Sequence, residues 1–178
     1  MSRGYRIRWP QPAWKDASTR VASEDAMCMD VGVLEILPED EMIALLRAQL
    51  ERDGWSKGQD GTLTRSFGEV TAELAPDGRT LTARATVARE VTARGTTEAE
   101  AQAKLGRAQE AASKELDKKV AERLDAAEGE VRAAVQAALQ KVYVEALQRK
   151  AASLGEIESM QEVRGEGGEL ELTIKVRV

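Results

Sequence analysis

Histidine is missing from this 178-residue sequence, and cysteine occurs once. Without imidazole, acid–base chemistry near neutral pH loses its usual side chain. With a single thiol, no disulfide within the chain and no thiolate metal cage can form. Aromatic residues make up only 3% of the chain, too few to fill the centre of a bulky globule. No apolar run approaches the roughly 20 residues that span a membrane. The opening MSRGYRIRWPQP lacks the apolar stretch of a secretion signal. With the lone thiol, these absences predict a cytoplasmic protein without a membrane segment.

What is present is charge and alanine. Hydrophobic residues are 42% and charged residues 32%, enough for a core but with much charge around it. The charge is uneven. Residues 1–20 hold five basic groups against Asp16, whereas residues 21–80 hold thirteen acids against five bases. The basic head can pair with the acidic middle or seek an anionic partner.

Tyr5, Ile7 and Trp9 alternate with Arg6 and Arg8, the period of a half-buried strand that Pro10 and Pro12 then end. A second β-like run covers Val31–Ile36. Leu37-Pro38-Glu39-Asp40-Glu41 reads as a helix start, with proline at the first position and acids at the positive end of the dipole. Met42, Ile43, Leu46 and Leu50 give that helix an apolar face, and Gly54 suits a left-handed cap, so a helix is predicted over 38–53. Turn signals at Asp60-Gly61 and Pro76-Asp77-Gly78 separate Thr62–Phe67, Glu69–Leu74 and Thr80–Glu90, which read as an antiparallel meander. Leu81, Ala83, Ala85 and Val87 would face one side of it, against the helix.

Thr97-x-x-Glu100 is a capping box. From there to Ser153 the chain has no proline, and 16 of 57 residues are alanine, which marks a long helical segment. Leu116, Val120, Leu124, Ala127, Val131, Val135, Ala138, Val142 and Ala146 repeat every eleven residues, so they keep to one face. As one helix the segment would be about 85 Å long. The alternative is topological. Ile157–Val163, a glycine turn at 165–168, and Leu170, Leu172, Ile174, Val176 and Val178 in alternation form a β-hairpin, and an isolated hairpin is marginal. If it joins the first sheet, the helical segment folds back near Asp125–Glu130; this reading is weighed slightly ahead. If the helix is single, the hairpin pairs with another subunit or a partner.

Few residues offer chemistry. Cys28 has no histidine to activate it and no second thiol to resolve it, so it reads as a small buried hydrophobe. The pairs Glu24-Asp25, Glu39-Asp40-Glu41 and Glu98 with Glu100 could suggest paired-carboxylate or Mg²⁺ chemistry, but they fall at a helix start or on charged faces, where acids are ordinary. Gly165-x-Gly-Gly168 lacks the lysine and the following helix of a phosphate loop. The sharpest ligand signal is aromatic residues among cations: Tyr5, Trp9 and Trp14 with Arg3, Arg6, Arg8 and Lys15, the kind of strip that binds single-stranded nucleic acid. Core packing explains the alternation more simply, and protein docking comes next. Val131, Val135 and Val142 on the helical stripe are candidate contacts to a partner helix, in this chain, a second copy or another protein.

Three stretches, IRWPQPAW (7–14), GVLEILPEDEMIALLRAQLERDGW (32–55) and QEVRGEGGELELTIKV (161–176), resemble small bacterial accessory domains. These are encoded beside a MoxR-type AAA+ ATPase and a von Willebrand factor A (vWA) protein, in FtsH–vWA–MoxR ternary systems. The resemblance implies a cytoplasmic, non-catalytic component working with an ATPase, and it carries over no catalytic residue. A second likeness, to small helix-plus-meander proteins of plastids and cyanobacteria, implies less.

The expectation is an α+β fold: a small antiparallel sheet with one packed helix over 1–95, a long Ala-rich helical segment over 96–154, and a β-hairpin over 155–178 that completes the sheet. The expected function is a non-enzymatic accessory or adaptor protein for an AAA+ ATPase and a vWA protein, with no cofactor and no metal. The candidate interface comprises Tyr5, Arg6, Arg8, Trp9, Trp14, Val131, Val135 and Val142. The alternative function is binding of single-stranded nucleic acid or another anion by the basic aromatic strip.

Overall fold

The computed structural model describes residues 13–164 and 170–177. Their order is β1 (Lys15–Asp30), α1 (Glu39–Arg52), β2 (Ser56–Lys57), β3 (Leu63–Phe67), β4 (Val70–Leu74), β5 (Thr80–Gly95), α2 (Glu98–Leu154), β6 (Glu156–Arg164) and β7 (Leu170–Arg177). The fold is α+β. One five-stranded sheet has the order β1-β5-β4-β3-β2, and β6 and β7 make a separate two-stranded sheet. Two compact units result: the described parts of Met1–Glu24 with Thr86–Ala121, and of Asp25–Ala85 with Glu122–Val178.

The second, larger unit is built on α1. Glu39, Asp40 and Glu41 occupy its first turn, and Met42, Leu45, Leu46, Gln49 and Leu50 are buried, the spacing of one helical face. The helix ends as its sequence predicts. Gly54 takes φ +92°, a conformation that any side chain would strain, and the Trp55 amide donates to the Leu50 carbonyl at 3.0 Å. Opposite α1, the β3–β4–β5 meander pairs Leu63 with Leu74, Leu74 with Leu81, Ala72 with Ala83 and Val70 with Ala85. These small or branched residues form the sheet's buried face. Met42, Leu46, Leu50, Leu63, Leu74 and Leu81 join Val131, Val135, Ala138, Val142 and Ala146 of α2 in one core. Each large side chain so buried contributes on the order of 1.5–3 kcal/mol. Asp53 ties three elements together: its carboxylate accepts from Lys141 at 2.6 Å and Gln49 at 3.0 Å, and its carbonyl accepts from Arg65 at 3.2 Å. Partial burial works against its charge, but the Lys141 and Gln49 hydrogen bonds outweigh that and hold its pKa below the ordinary carboxylate value.

The smaller unit has a core of Val21, Val91, Leu105, Ala112 and Leu116, edged by Ala17, Val87, Ala93 and Ala108. At the start of α2 the Glu100 amide donates to the Thr97 hydroxyl at 3.2 Å. The Glu100 carboxylate reaches back to Thr96, accepting from its amide at 2.8 Å and its hydroxyl at 2.6 Å. The capping box therefore forms, with the carboxylate reaching one residue further back than the ideal. Lys104, then Thr96, pull the Glu100 pKa down to about 2. Arg94 and Asp16 pair at 2.6 Å across β5 and β1, and Glu115 takes both Lys119 at 2.7 Å and Arg89 at 2.9 Å.

Four expectations change. Residues 97–153 do not fold back near Asp125–Glu130: α2 is one helix over Glu98–Leu154. The nine stripe positions from Leu116 to Ala146 are all buried, so a bend there would give up that burial. The hairpin does not complete the first sheet but stands as its own two-stranded sheet. Val31–Ile36 is not a strand. Val31 donates to the Arg79 carbonyl at 2.7 Å, and beyond Arg79 the neighbouring chain is the Pro76–Gly78 turn, so the ladder has no further partner. Cys28 is exposed rather than buried, with its Sγ 3.8 Å from the Thr82 hydroxyl.

Candidate protein-interaction surface

The end of α2 and the hairpin after it belong to the larger unit. The helix stops at Leu154, and Gly155 permits the chain to turn back sharply, since a Cβ there would collide with the Arg177 carbonyl oxygen. β6 and β7 then pair antiparallel, with an irregularity between Ile157 and Ser159. That extra residue decides the faces, because it lets Ile157 and Met160, three apart, point the same way. Directly opposite residues share a face. One face therefore carries Ile157 with Val176, Met160 with Ile174, and Glu162 with Leu172. The other carries Ser159 with Lys175, Gln161 with Thr173, and Val163 with Glu171. On β7 the split is clean: Leu172, Ile174 and Val176 are half-buried, while Glu171, Thr173, Lys175 and Arg177 are exposed.

The apolar face turns toward α2, where Gln148 donates its amide to the Met160 sulfur at 3.1 Å. The cover is incomplete. Leu147 is 36% exposed, Leu154 64%, Ile157 37% and Met160 46%, and Val163 on the other face is 58% exposed. A loop borders the same helix turns. Lys150 donates to the Ile36 carbonyl at 2.9 Å, and the Tyr143 hydroxyl contacts the Leu34 amide and the Gly32 carbonyl, each at 3.3 Å. Leu34 of that loop is 63% exposed. Scattered apolar residues on a surface are normal; these fall on one helix end, the hairpin after it and the bordering loop, and make up the candidate surface. Its described fringe carries Glu156, Glu158, Glu162 and Glu171, of which Glu158 pairs with Arg177 at 2.6 Å.

The sequence-derived interface fares differently. Val131, Val135 and Val142 are 0%, 7% and 1% exposed and lie in the chain's own core, so they are not a docking face. Trp14 is 52% exposed. Tyr5, Arg6, Arg8 and Trp9, and the glycine turn at 165–168, lie outside the described residues. Leu147, Leu154, Ile157 and Met160 are not among the sequence-derived candidates; the three-residue step from Ile157 to Met160 is wrong for a flat strand, and the irregularity there puts those two on one face.

The acid clusters have ordinary partners: Glu39 pairs with Arg79, and Glu100 caps α2. Among the described residues no three or more Asp, Glu or Cys side chains gather so as to hold a metal ion, and no helix is long and apolar enough to cross a membrane. A family model described as FtsH ternary system domain X5 matches residues 1–178. No curated protein and no solved structure matches the chain.

Proposed function

Because the chain belongs to the FtsH ternary system domain X5 family, we propose that it is a non-catalytic accessory protein, and that it binds other members of such a system through the surface at the end of α2. The observation that carries this reading is the incompletely covered apolar face of Leu147, Leu154, Ile157 and Met160. The absence of histidine supports a binding role over a chemical one. The occupant is an extended segment of a partner protein in which apolar and basic residues alternate. Its apolar side chains continue the face of Ile157 and Met160, its cations meet the β6 glutamates Glu156 and Glu158, and its backbone adds to the β6 edge, as in other strand-addition complexes. The sequence resemblance names a cytoplasmic MoxR-type AAA+ ATPase and a vWA protein as the partners to examine.

The test is titration of the purified ATPase and the purified vWA protein of one such system with wild type and with Met160→Glu. Ile157→Glu serves as an independent second variant, and hydrogen exchange over 25–85 verifies that each remains folded. The expected outcome is that one partner binds wild type and that each variant weakens it about tenfold or more, equivalent to about 1.4 kcal/mol. Binding that neither variant alters, or no binding to either protein, overturns the reading.

A further inference from the structure

Methionine is unbranched and soft, so it usually fills gaps inside a core, and its thioether sulfur is a weak acceptor. Met42 is such a core residue at 1% exposure, and Met29 packs against the same core. Met27 is half-buried. Met160 is placed differently. It is 46% exposed on β6 and stands opposite Ile174 on the apolar face of the hairpin. Its sulfur accepts a hydrogen bond from the Gln148 side-chain amide of α2 at 3.1 Å. A methionine so placed differs from a buried one in two respects. A dissolved oxidant meets it directly, and the two sides of its sulfur are no longer equivalent, because Gln148 occupies one lone pair.

We propose that Met160 is a reversible oxidation site that switches the polarity of this surface, and that Gln148 sets the side from which oxygen enters. The oxidant is a peroxide. Its O–O bond breaks and an S–O bond forms at Met160. The sulfur gives up two electrons, and the reduced peroxide leaves as water, or as an alcohol where the peroxide is organic. The flexible apolar thioether becomes a polar, chiral sulfoxide. Addition at either lone pair gives one of two epimers; with the Gln148 amide on one lone pair, oxygen adds at the other. The new oxygen sits on the face of Ile157, Ile174 and Val176, where an apolar partner can cover it only by stripping its water. A sulfoxide reductase reverses the step: the oxygen leaves as water while two thiols of the reductant become a disulfide. Weakened partner binding on oxidation rests on the function proposed above, whereas the modification site and its effect on the surface do not.

The test uses the full chain with Cys28→Ser, because the exposed native thiol would otherwise consume oxidant. Timed treatment with hydrogen peroxide, followed by peptide mass spectrometry, should find Met160 oxidised at least about fivefold faster than Met27, Met29 and Met42. After digestion, a reductase specific for one sulfoxide epimer should repair most of the Met160 sulfoxide and the reductase specific for the other epimer little of it, and Gln148→Ala should bring the two toward equality. Hydrophobic-interaction chromatography reads the surface without any partner: the oxidised protein elutes earlier, while Met160→Leu, compared with itself before and after treatment, does not shift. Oxidation of Met160 no faster than that of the other three, equal epimers without the Gln148 substitution, or an equal shift of Met160→Leu each overturns the proposal. In titrations with the ATPase and the vWA protein, oxidation should lower affinity about tenfold and leave that of Met160→Leu as it was before treatment. Equal affinity before and after oxidation overturns the switch. Absence of binding by the untreated chain is a failure of the proposed function alone, and the chromatography then decides the switch.

Discussion

The two units share three long elements, β1, β5 and α2, yet their cores differ in kind. Around α1 the core is made of large side chains, Met42, Leu46, Leu50, Trp55, Leu63, Leu74 and Leu81, against the valines of α2. In the smaller unit, strands and helix meet over Val21, Val91, Leu105, Ala112 and Leu116 with alanine around them. The contrast teaches that stability here is set by what backs each part of the sheet rather than by how far the strands and helix run. Charged contacts such as Arg94–Asp16 and Arg89–Glu115, all well exposed, add little where apolar burial is thin.

The strongest challenge to that contrast is Leu46→Ala. Leu46 is fully buried, and its truncation should cost about 3–4 kcal/mol by loss of transfer energy and a residual cavity. Chemical denaturation followed by far-UV circular dichroism should show the whole larger unit weakened. Leu116→Ala, at 1% exposure in the smaller unit, should cost about 2–3 kcal/mol. Native-state hydrogen exchange should register it in residues 86–116 while 39–85 keep their protection. Equal acceleration in both regions would erase the distinction between the units.

Acid should sharpen the comparison. Glu100 has its pKa lowered from 4.5 to about 2, first by Lys104 and then by Thr96, and Asp16 and Glu115 of the same unit are also lowered by their cationic partners. A carboxyl whose folded pKa is depressed contributes stability above its unfolded value and loses it as pH falls through the folded one. Exchange at the start of α2 should therefore accelerate as pH falls from 4.5 toward 2, after correction for intrinsic rates, and Glu100→Gln should flatten that dependence. The smallest effect expected is that of Lys141→Met. It removes a partner of Asp53 at 2.6 Å that is itself half-exposed, a loss of about 1 kcal/mol, read as a small shift in the denaturation midpoint of the larger unit.

Much of this architecture is legible from residue spacing. The α1 face, the Gly54 stop and the meander follow from helix and turn chemistry, and each of the nine stripe residues of α2 is buried as its period requires. β1 was not legible, because KDASTRVASEDAMCMD places polar and small residues on both faces and Val21 is its only buried side chain. The single helix was obscured by a sound expectation about hairpins, that two strands seek a larger sheet. The candidate surface was half legible. Ile157–Val163 reads as a strand, but its exposure depends on a bulge and on what the end of α2 leaves uncovered. The family resemblance came from long stretches of pattern rather than from any one motif, and the family model matches residues 1–178.

The eleven-residue stripe of α2 also limits how this protein can change in length. One residue inserted into the helix turns everything beyond it by about 100°, which would carry buried valines into water and lysines into the core. Eleven residues make three turns almost without remainder, so a whole repeat can enter or leave while the stripe stays in phase. Descendants of this chain with longer or shorter helices should therefore differ by whole repeats, with single-residue gaps confined to the loops at 31–38 and 58–62.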